Sequence, residues 1–239
     1  MFGLDIIYYQ LILVGVFAVA TIVGYLLIKN VPSLLHTPLM SGMNALSGIT
    51  VLGALTTAAI LFKGSIILSV VLGSLAIALA MVNVVGGFVV TDRMLAMIAK
   101  KKAKNQGLIY LILGVVSAGV VALIAWLPFI SDVAIKEYVY LVASIILTFG
   151  VLIGIALMSK VNLSKIGNRV SAVCMLLAIA LTLVYNNILG IWTLYIGIAL
   201  GTIIGAIFAQ KVKMIQMPQM VALLNGLGGA ASALVGGFA

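Results

Sequence analysis

His36, Thr37, Ser41, Asn44 and Ser47 form a polar string that runs straight into an apolar stretch. His36 is the chain's single histidine, and an imidazole takes up and releases protons near its unperturbed pKa of about 6.5. The amides and hydroxyls that follow both donate and accept hydrogen bonds, so they can hold water in an otherwise apolar cavity. Two further asparagines, Asn83 and Asn225, interrupt later apolar stretches. The chemistry within reach of such groups is passage of protons or small polar solutes. The four acidic residues, Asp5, Asp92, Asp132 and Glu137, all lie outside the apolar interiors, where ion-coupled transporters commonly keep a carboxylate. One cysteine, Cys174, cannot pair within the chain, and one histidine cannot build a zinc site. No Gly-x-Gly-x-x-Gly follows a strand. No catalytic residue, bound cofactor or metal ligand is therefore expected in this chain.

The elements that position these groups follow from composition. Of 239 residues, 65% are hydrophobic and 7% charged, more apolar surface than a soluble domain can bury. The fold class expected is all-α, a polytopic transmembrane helix bundle in a lipid bilayer. Apolar runs long enough to cross it fall at roughly 6–28, 39–62, 65–90, 107–130, 138–158, 170–189 and 191–209, and an eighth begins near Met217. Small residues at helical spacing, Gly150 with Gly154 and Gly197 with Gly201 and Gly205, read as close helix packing.

The net charge of +9 does not point to nucleic acid, because the basic residues sit in short loops. With eight spans, alternation puts Lys29, Arg93, Lys100, Lys101, Lys102, Lys104, Lys160, Lys165, Arg169, Lys211 and Lys213 on one side. Only Lys63 and Lys136 fall on the other. The positive-inside rule makes the first side cytoplasmic and the N-terminus external. No basic n-region precedes the first span, so it is not read as a cleaved signal peptide.

Depth then groups the asparagines. Asn44 follows Pro38 by six residues, Asn225 follows Pro218 by seven, and Asn83 precedes Arg93 by ten. At helical rise all three lie roughly 9–15 Å inside the same face. Either they converge on one hydrated funnel, or each bonds a neighbouring helix at about 0.6 kcal/mol. Thr37 is expected as an N-cap and Pro38 as the first helical residue, which leaves His36 just outside the helix. There it either collects protons at the headgroup boundary or simply bonds a carbonyl. The segments Pro38–Asn44 and Pro218–Asn225 echo each other loosely, by duplication or by chance.

Two long motifs carry a resemblance. His36-Thr-Pro-Leu-Met-Ser-Gly-x-Asn44-Ala-x-Ser-Gly and Asn83-Val-Val-Gly-Gly-Phe-Val-Val-Thr-Asp-Arg93-Met-Leu resemble the membrane domain of proton-translocating NAD(P) transhydrogenase. Lys211-Val-Lys-Met-Ile-Gln-Met-Pro218-Gln-Met-Val-Ala-Leu-Leu is similar to the start of that enzyme's beta subunit. The resemblance implies an alpha-type membrane segment over 1–106, a linking helix and external loop over 107–137, and a beta-type segment over 138–239.

It further implies that soluble NAD- and NADP-binding domains, and further membrane helices, are partners supplied from outside this sequence. NAD(H) and NADP(H) would be bound there, and the assembly would be a homodimer in a bacterial inner membrane or an equivalent energy-coupling membrane. His36, Asn44, Ser47, Asn83 and Asn225 become the candidate proton path. Arg93, Lys100, Lys101, Lys102 and Lys211 become candidate contacts for a soluble domain, or else serve only to orient the chain. Family members usually carry a membrane histidine implicated in proton transfer, at the position of Asn225 in many and of Ser47 in some. This chain has neither. The competing readings are a solute or ion transporter component and a structural membrane scaffold.

Overall fold

The computed structural model describes residues 2–29, 31–54, 67–98, 106–188 and 192–236. Eight α-helices run through them: α1 Phe2–Lys29, α2 Ser33–Ser47, α3 Ile67–Ile98, α4 Gln106–Trp126, α5 Val133–Met158, α6 Ser164–Tyr185, α7 Trp192–Lys211 and α8 Met217–Gly236. No strand occurs among the described residues. The all-α expectation holds. Six helical segments are long and apolar enough to cross a membrane: Val71–Ile98, Gly107–Phe129, Val133–Met158, Ser164–Tyr185, Trp192–Lys211 and Met214–Gly236. α1 contributes the shorter apolar stretch Gln10–Leu26. The outward surface makes this an integral, multi-pass membrane protein. Leu111, Val115 and Phe149 are 64%, 65% and 60% exposed, and only hydrocarbon accommodates such a belt.

α3 is the hub, packing against α7, α8, α2 and α6. Glycine makes this possible. The expected stripe Gly197, Gly201 and Gly205 is buried against α3. A Cβ at Gly197 would stand 2.7 Å from the Ser74 carbonyl oxygen, and one at Gly205 2.8 Å from that of Val82. Backbone thus lies on backbone, the arrangement that gains most from dispersion where lipid removes the hydrophobic drive. Gly87 does the same toward α2, where an added Cβ would meet Ala45 Cα at 2.9 Å. α5 and α6 pair through Gly150, which faces Cys174, and Gly154, which faces Ser171. Asp132 caps α5, accepting bonds from Ala134 N–H at 2.8 Å and Ile135 N–H at 3.3 Å, and so meets two of the orphan donors of a helix start.

Two local expectations fail. Thr37 is not an N-cap and Pro38 is not a first helical residue: α2 begins at Ser33 after Pro32, and Pro38 lies inside it. The earlier Val31-Pro32 step supplies the start, so His36 is helical. The run at 39–62 is also not one continuous helix. α2 ends at Ser47, Gly48 and Ile49 form a turn, and helix resumes over 50–54. At 15 residues α2 alone is too short to cross a bilayer. Residues 55–66, with Lys63, lie outside the described residues.

Candidate functional site

The turn after α2 explains the site. Gly48 N–H bonds the Ala45 carbonyl at 3.1 Å and Ile49 N–H bonds that of Leu46 at 3.1 Å. These bonds reach back three residues, not four, so the Asn44 carbonyl needs other donors. It has two: Ser47 Oγ–H at 2.6 Å and Asn83 Nδ2–H at 3.2 Å, the latter arriving from α3. The Asn44 side chain donates in turn to the Val221 carbonyl of α8 at 3.3 Å. Asn83 is fully buried, also approaches Ser47 Oγ at 3.4 Å, and leaves its Oδ1 without a partner. Its amide packs on the α8 backbone, since a Cβ at Gly228 would stand 2.6 Å from Asn83 Nδ2.

In front of Asn83 lies an open groove of about 560 Å³, lined by Met40, Met43, Asn44 and Ser47 of α2 and by Pro218, Val221, Ala222 and Asn225 of α8. Thus the two echoing segments face each other across one cavity. Ser47 and Asn225 are exposed on it, and Asn44 is nearly buried. Among the described residues its lining holds amides and a hydroxyl but no titratable side chain. Such groups pass a proton only by relaying it through water, because none of them stores one near neutral pH. His36 does not line the groove. It sits exposed on α2, where its Nε2–H donates to the Val31 carbonyl at 3.0 Å.

At the far end of α3, three consecutive residues reach three ways. Thr91 is fully buried. Asp92 faces α6, with Lys165 at 4.0 Å and Arg169 at 3.9 Å. Arg93 turns to α7 and donates to the carbonyls of Ala209 and, at 3.0 Å, Val212. Those carbonyls are orphans of a helix end, and a cation there also complements the helix dipole. This clustering brings Arg93, Lys165, Arg169 and Lys211 to one end of the bundle, the grouping that the loop charges suggested. Lys211 ends α7 and is exposed. Lys100, Lys101 and Lys102 lie outside the described residues.

Residues 13–100 match the model of the 4TM region of pyridine nucleotide transhydrogenase, and residues 136–239 match that of the NAD(P) transhydrogenase beta subunit. Together the two matches describe a transhydrogenase-type membrane region, the end of an alpha subunit joined to the start of a beta subunit. It is 48% identical over 85 residues to NAD(P) transhydrogenase subunit alpha of Cereibacter sphaeroides, covering 36% of this chain and 16% of that one. In Rickettsia prowazekii the second portion of a divided alpha subunit is 45% identical over 87 residues, covering 36% and 64%. Identity to subunit beta of Rhodospirillum rubrum is 38% over 88 residues, covering 36% and 19%. The chain therefore spans less than two thirds of the length of these relatives.

Within this transhydrogenase membrane region, four of the five polar residues singled out by the motifs gather at one place: Asn44, Ser47, Asn83 and Asn225. Sequence reasoning named Ser41 in the polar string but left it out of the candidate path, and passed over Thr91 and Asn168; the three are 1%, 0% and 2% exposed. Ser41 and Thr91 lay in view within the motifs. Asn168 was masked by its charged neighbours Lys165 and Arg169, which placed it in a loop ahead of the expected span. The helix in fact begins at Ser164. Its charges face Asp92 while Asn168 turns inward to bond the Phe88 carbonyl at 3.1 Å.

Proposed function

We propose that this chain is the membrane component of a proton-translocating NAD(P) transhydrogenase, with the α2–α8 groove as a section of its proton path. Asn44, Ser47, Asn83 and Asn225 would hold a file of water, and the proton would move along it. His36, one face away, would serve at most as a shallow entry group. NAD(H) and NADP(H) would bind soluble domains outside this sequence, and hydride transfer would occur there. The path must then work by gating: proton occupancy changes the surface offered to the NADP-binding domain, which requires that domain to bind the two states unequally. Arg93, Lys100, Lys101, Lys102 and Lys211 would belong to that cytoplasmic rim, with the N-terminus outside and eight spans in all. The assembly would be a homodimer.

The observation that carries the reading is an open groove whose polar residues come from the family-marked stretches of two distant segments. Exposed amides facing hydrocarbon would be costly, which speaks for water or partner helices against them. The test is purification with its partners from native membranes, followed by proton-coupled hydride exchange in reconstituted vesicles. Asn225→Leu should leave thermal stability unchanged, since the side chain is exposed, and abolish coupled proton uptake. Wild-type uptake in that variant would remove the groove from the path.

A further inference from the structure

We propose that Ser41, Thr91 and Asn168 form a second, enclosed water-binding site in the seam between α2, α3 and α6. This site is separate from the groove and does not rest on the proton-path reading. Ser41 Oγ, Thr91 Oγ1 and Asn168 Oδ1 are buried and have no hydrogen-bond partner. That is unusual for hydroxyls on membrane helices, which ordinarily donate to a carbonyl of the preceding turn. Elsewhere in this chain they do so: Thr21 to Phe17, Thr148 to Ser144, Thr182 to Ala178 and Ser232 to Gly228. Ser41 and Thr91 depart from this pattern, as Ser74, Ser171 and Thr193 also do; what sets Ser41 and Thr91 apart is a third unpartnered oxygen, Asn168 Oδ1, on the same three-helix seam.

The residues that carry the three oxygens are linked across that seam. Asn168 Nδ2 donates to the Phe88 carbonyl at 3.1 Å, which fixes its Oδ1 as a free acceptor. Thr91 lies one turn beyond Phe88 on the same face of α3. Gly42, next to Ser41, faces Thr91 so closely that a Cβ there would stand 3.5 Å from Thr91 Cγ2. The helices α2, α3 and α6 touch one another pairwise. A flexible side chain, Met158, closes the seam beside Gly42 and is 2% exposed.

The chemistry selects the ligand. Two hydroxyls and one amide oxygen give a water the partners that an internal water needs. All three are neutral, and Lys165 and Arg169 lie against Asp92 at this same end, which disfavours a cation. Water bound here bridges α2 to α3 and α6. It also sits between the groove, which begins one turn along at Asn44, and the Asp92 ion pairs.

Bound water is read by brief X-ray radiolysis of the reconstituted complex followed by mass spectrometry, because hydroxyl radicals label only side chains next to water. Met158 is the reporter, and Met81 and Met175, 6% and 3% exposed in the apolar core, are the dry references. The expected result is rapid oxidation of Met158 with Met81 and Met175 silent, and loss of the Met158 label in S41A/T91V. Thr91→Ser, which keeps the hydroxyl, should retain it, and Ser41→Ala alone should reduce it if the double variant fails to fold. Met158 as silent as Met81 in the wild type would overturn the proposal. So would a label that persists unchanged when the hydroxyls are removed, which would mean that bulk water reaches Met158.

Discussion

Helices α3 and α4 are both long, apolar and uncharged through their middles, yet the bundle treats them oppositely. Of the most apolar stretch of each, 67% is buried in α3 and 11% in α4. Both carry small residues, so small residues alone do not decide it. Gly86 and Gly87 of α3 are pressed against α8 and α2, whereas Gly114 and Gly119 of α4 have nothing within 4 Å of an added Cβ. What separates the two is the polar set that accompanies the glycines. α3 has Asn83, Thr91 and Arg93 along its length, polar groups that are costly against lipid and turn into the bundle. α4 has only Tyr110 and Ser117 past its first turn, and the Ser117 hydroxyl is satisfied by the Gly114 carbonyl at 3.0 Å. Hydropathy admits a helix to the membrane, and polar groups decide whether it goes to the middle of the bundle.

The sharpest way to break this comparison is to place the same bulky side chain in both helices. Gly87→Leu must wedge α2 from α3, because the first added carbon already stands 2.6 Å from Ala45 Cβ. Overpacking of this kind costs about 1–3 kcal/mol and more where backbone is the obstacle. Gly119→Leu projects into open space and should lie within about 0.5 kcal/mol of wild type. Unfolding in mild detergent, followed by helical signal against denaturant, measures both. Equal losses in the two variants would show that α4 is packed as tightly as α3.

Next in size is Arg93. Its guanidinium bonds two carbonyls at the end of α7, and hydrogen bonds to charged groups contribute about 1.5–3 kcal/mol each. Arg93→Ala should destabilise by that order and loosen the last turn of α7, read as faster amide exchange over residues 208–213. Arg93→Lys should recover only a fraction of the loss, since a single ammonium does not reproduce the planar fork. If Arg93→Ala leaves α7 exchange unchanged, Arg93 belongs to the surface and not to the bundle.

That assignment also marks the limit of what was legible beforehand. The membrane class and the helical architecture could be read from hydropathy and spacing, whereas shared depth offered a common site for Asn44, Asn83 and Asn225 only as one of two alternatives. Arg93 was legible as a charge at a helix end, but its partners were not, because the carbonyls of Ala209 and Val212 lie more than a hundred residues away. The break after Ser47 was missed for a different reason. Gly48 and Ile49 lie within an apolar run, and hydropathy does not register three-residue backbone bonds. His36 was misplaced because Pro38 is an ordinary helix-start residue, and Pro32, six residues earlier, started the helix first. Asn168 was hidden by the charges that flank it, Lys165 and Arg169.

A smaller effect sharpens the comparison from the polar side. If Asn83 and Ser47 act as one unit on the Asn44 carbonyl, Asn83→Leu and Ser47→Ala should not be additive. Interhelical bonds in membranes average about 0.6 kcal/mol and reach about 1.7 kcal/mol. The expected coupling therefore lies in that range, measured by a double-mutant cycle on stability. Strict additivity would mean that the two side chains meet the carbonyl independently, and that the groove is not backed by a connected network.

The smallest expected effect belongs to α4. Tyr110 accepts a bond from Arg169 Nη1 at 2.9 Å at an exposed site, a polar tie between α4 and α6. Exposed polar pairs contribute at most about 1 kcal/mol and many contribute nothing measurable. Tyr110→Phe keeps the ring against α6 and should shift stability by less than about 0.5 kcal/mol, with Asp92 still facing Lys165 and Arg169. Thermal unfolding of Tyr110→Phe beside Arg93→Ala in one detergent gives the test. A loss as large as that of Arg93→Ala would mean that α4 is held by its polar end after all, and that exposure along its length conceals a second anchored helix.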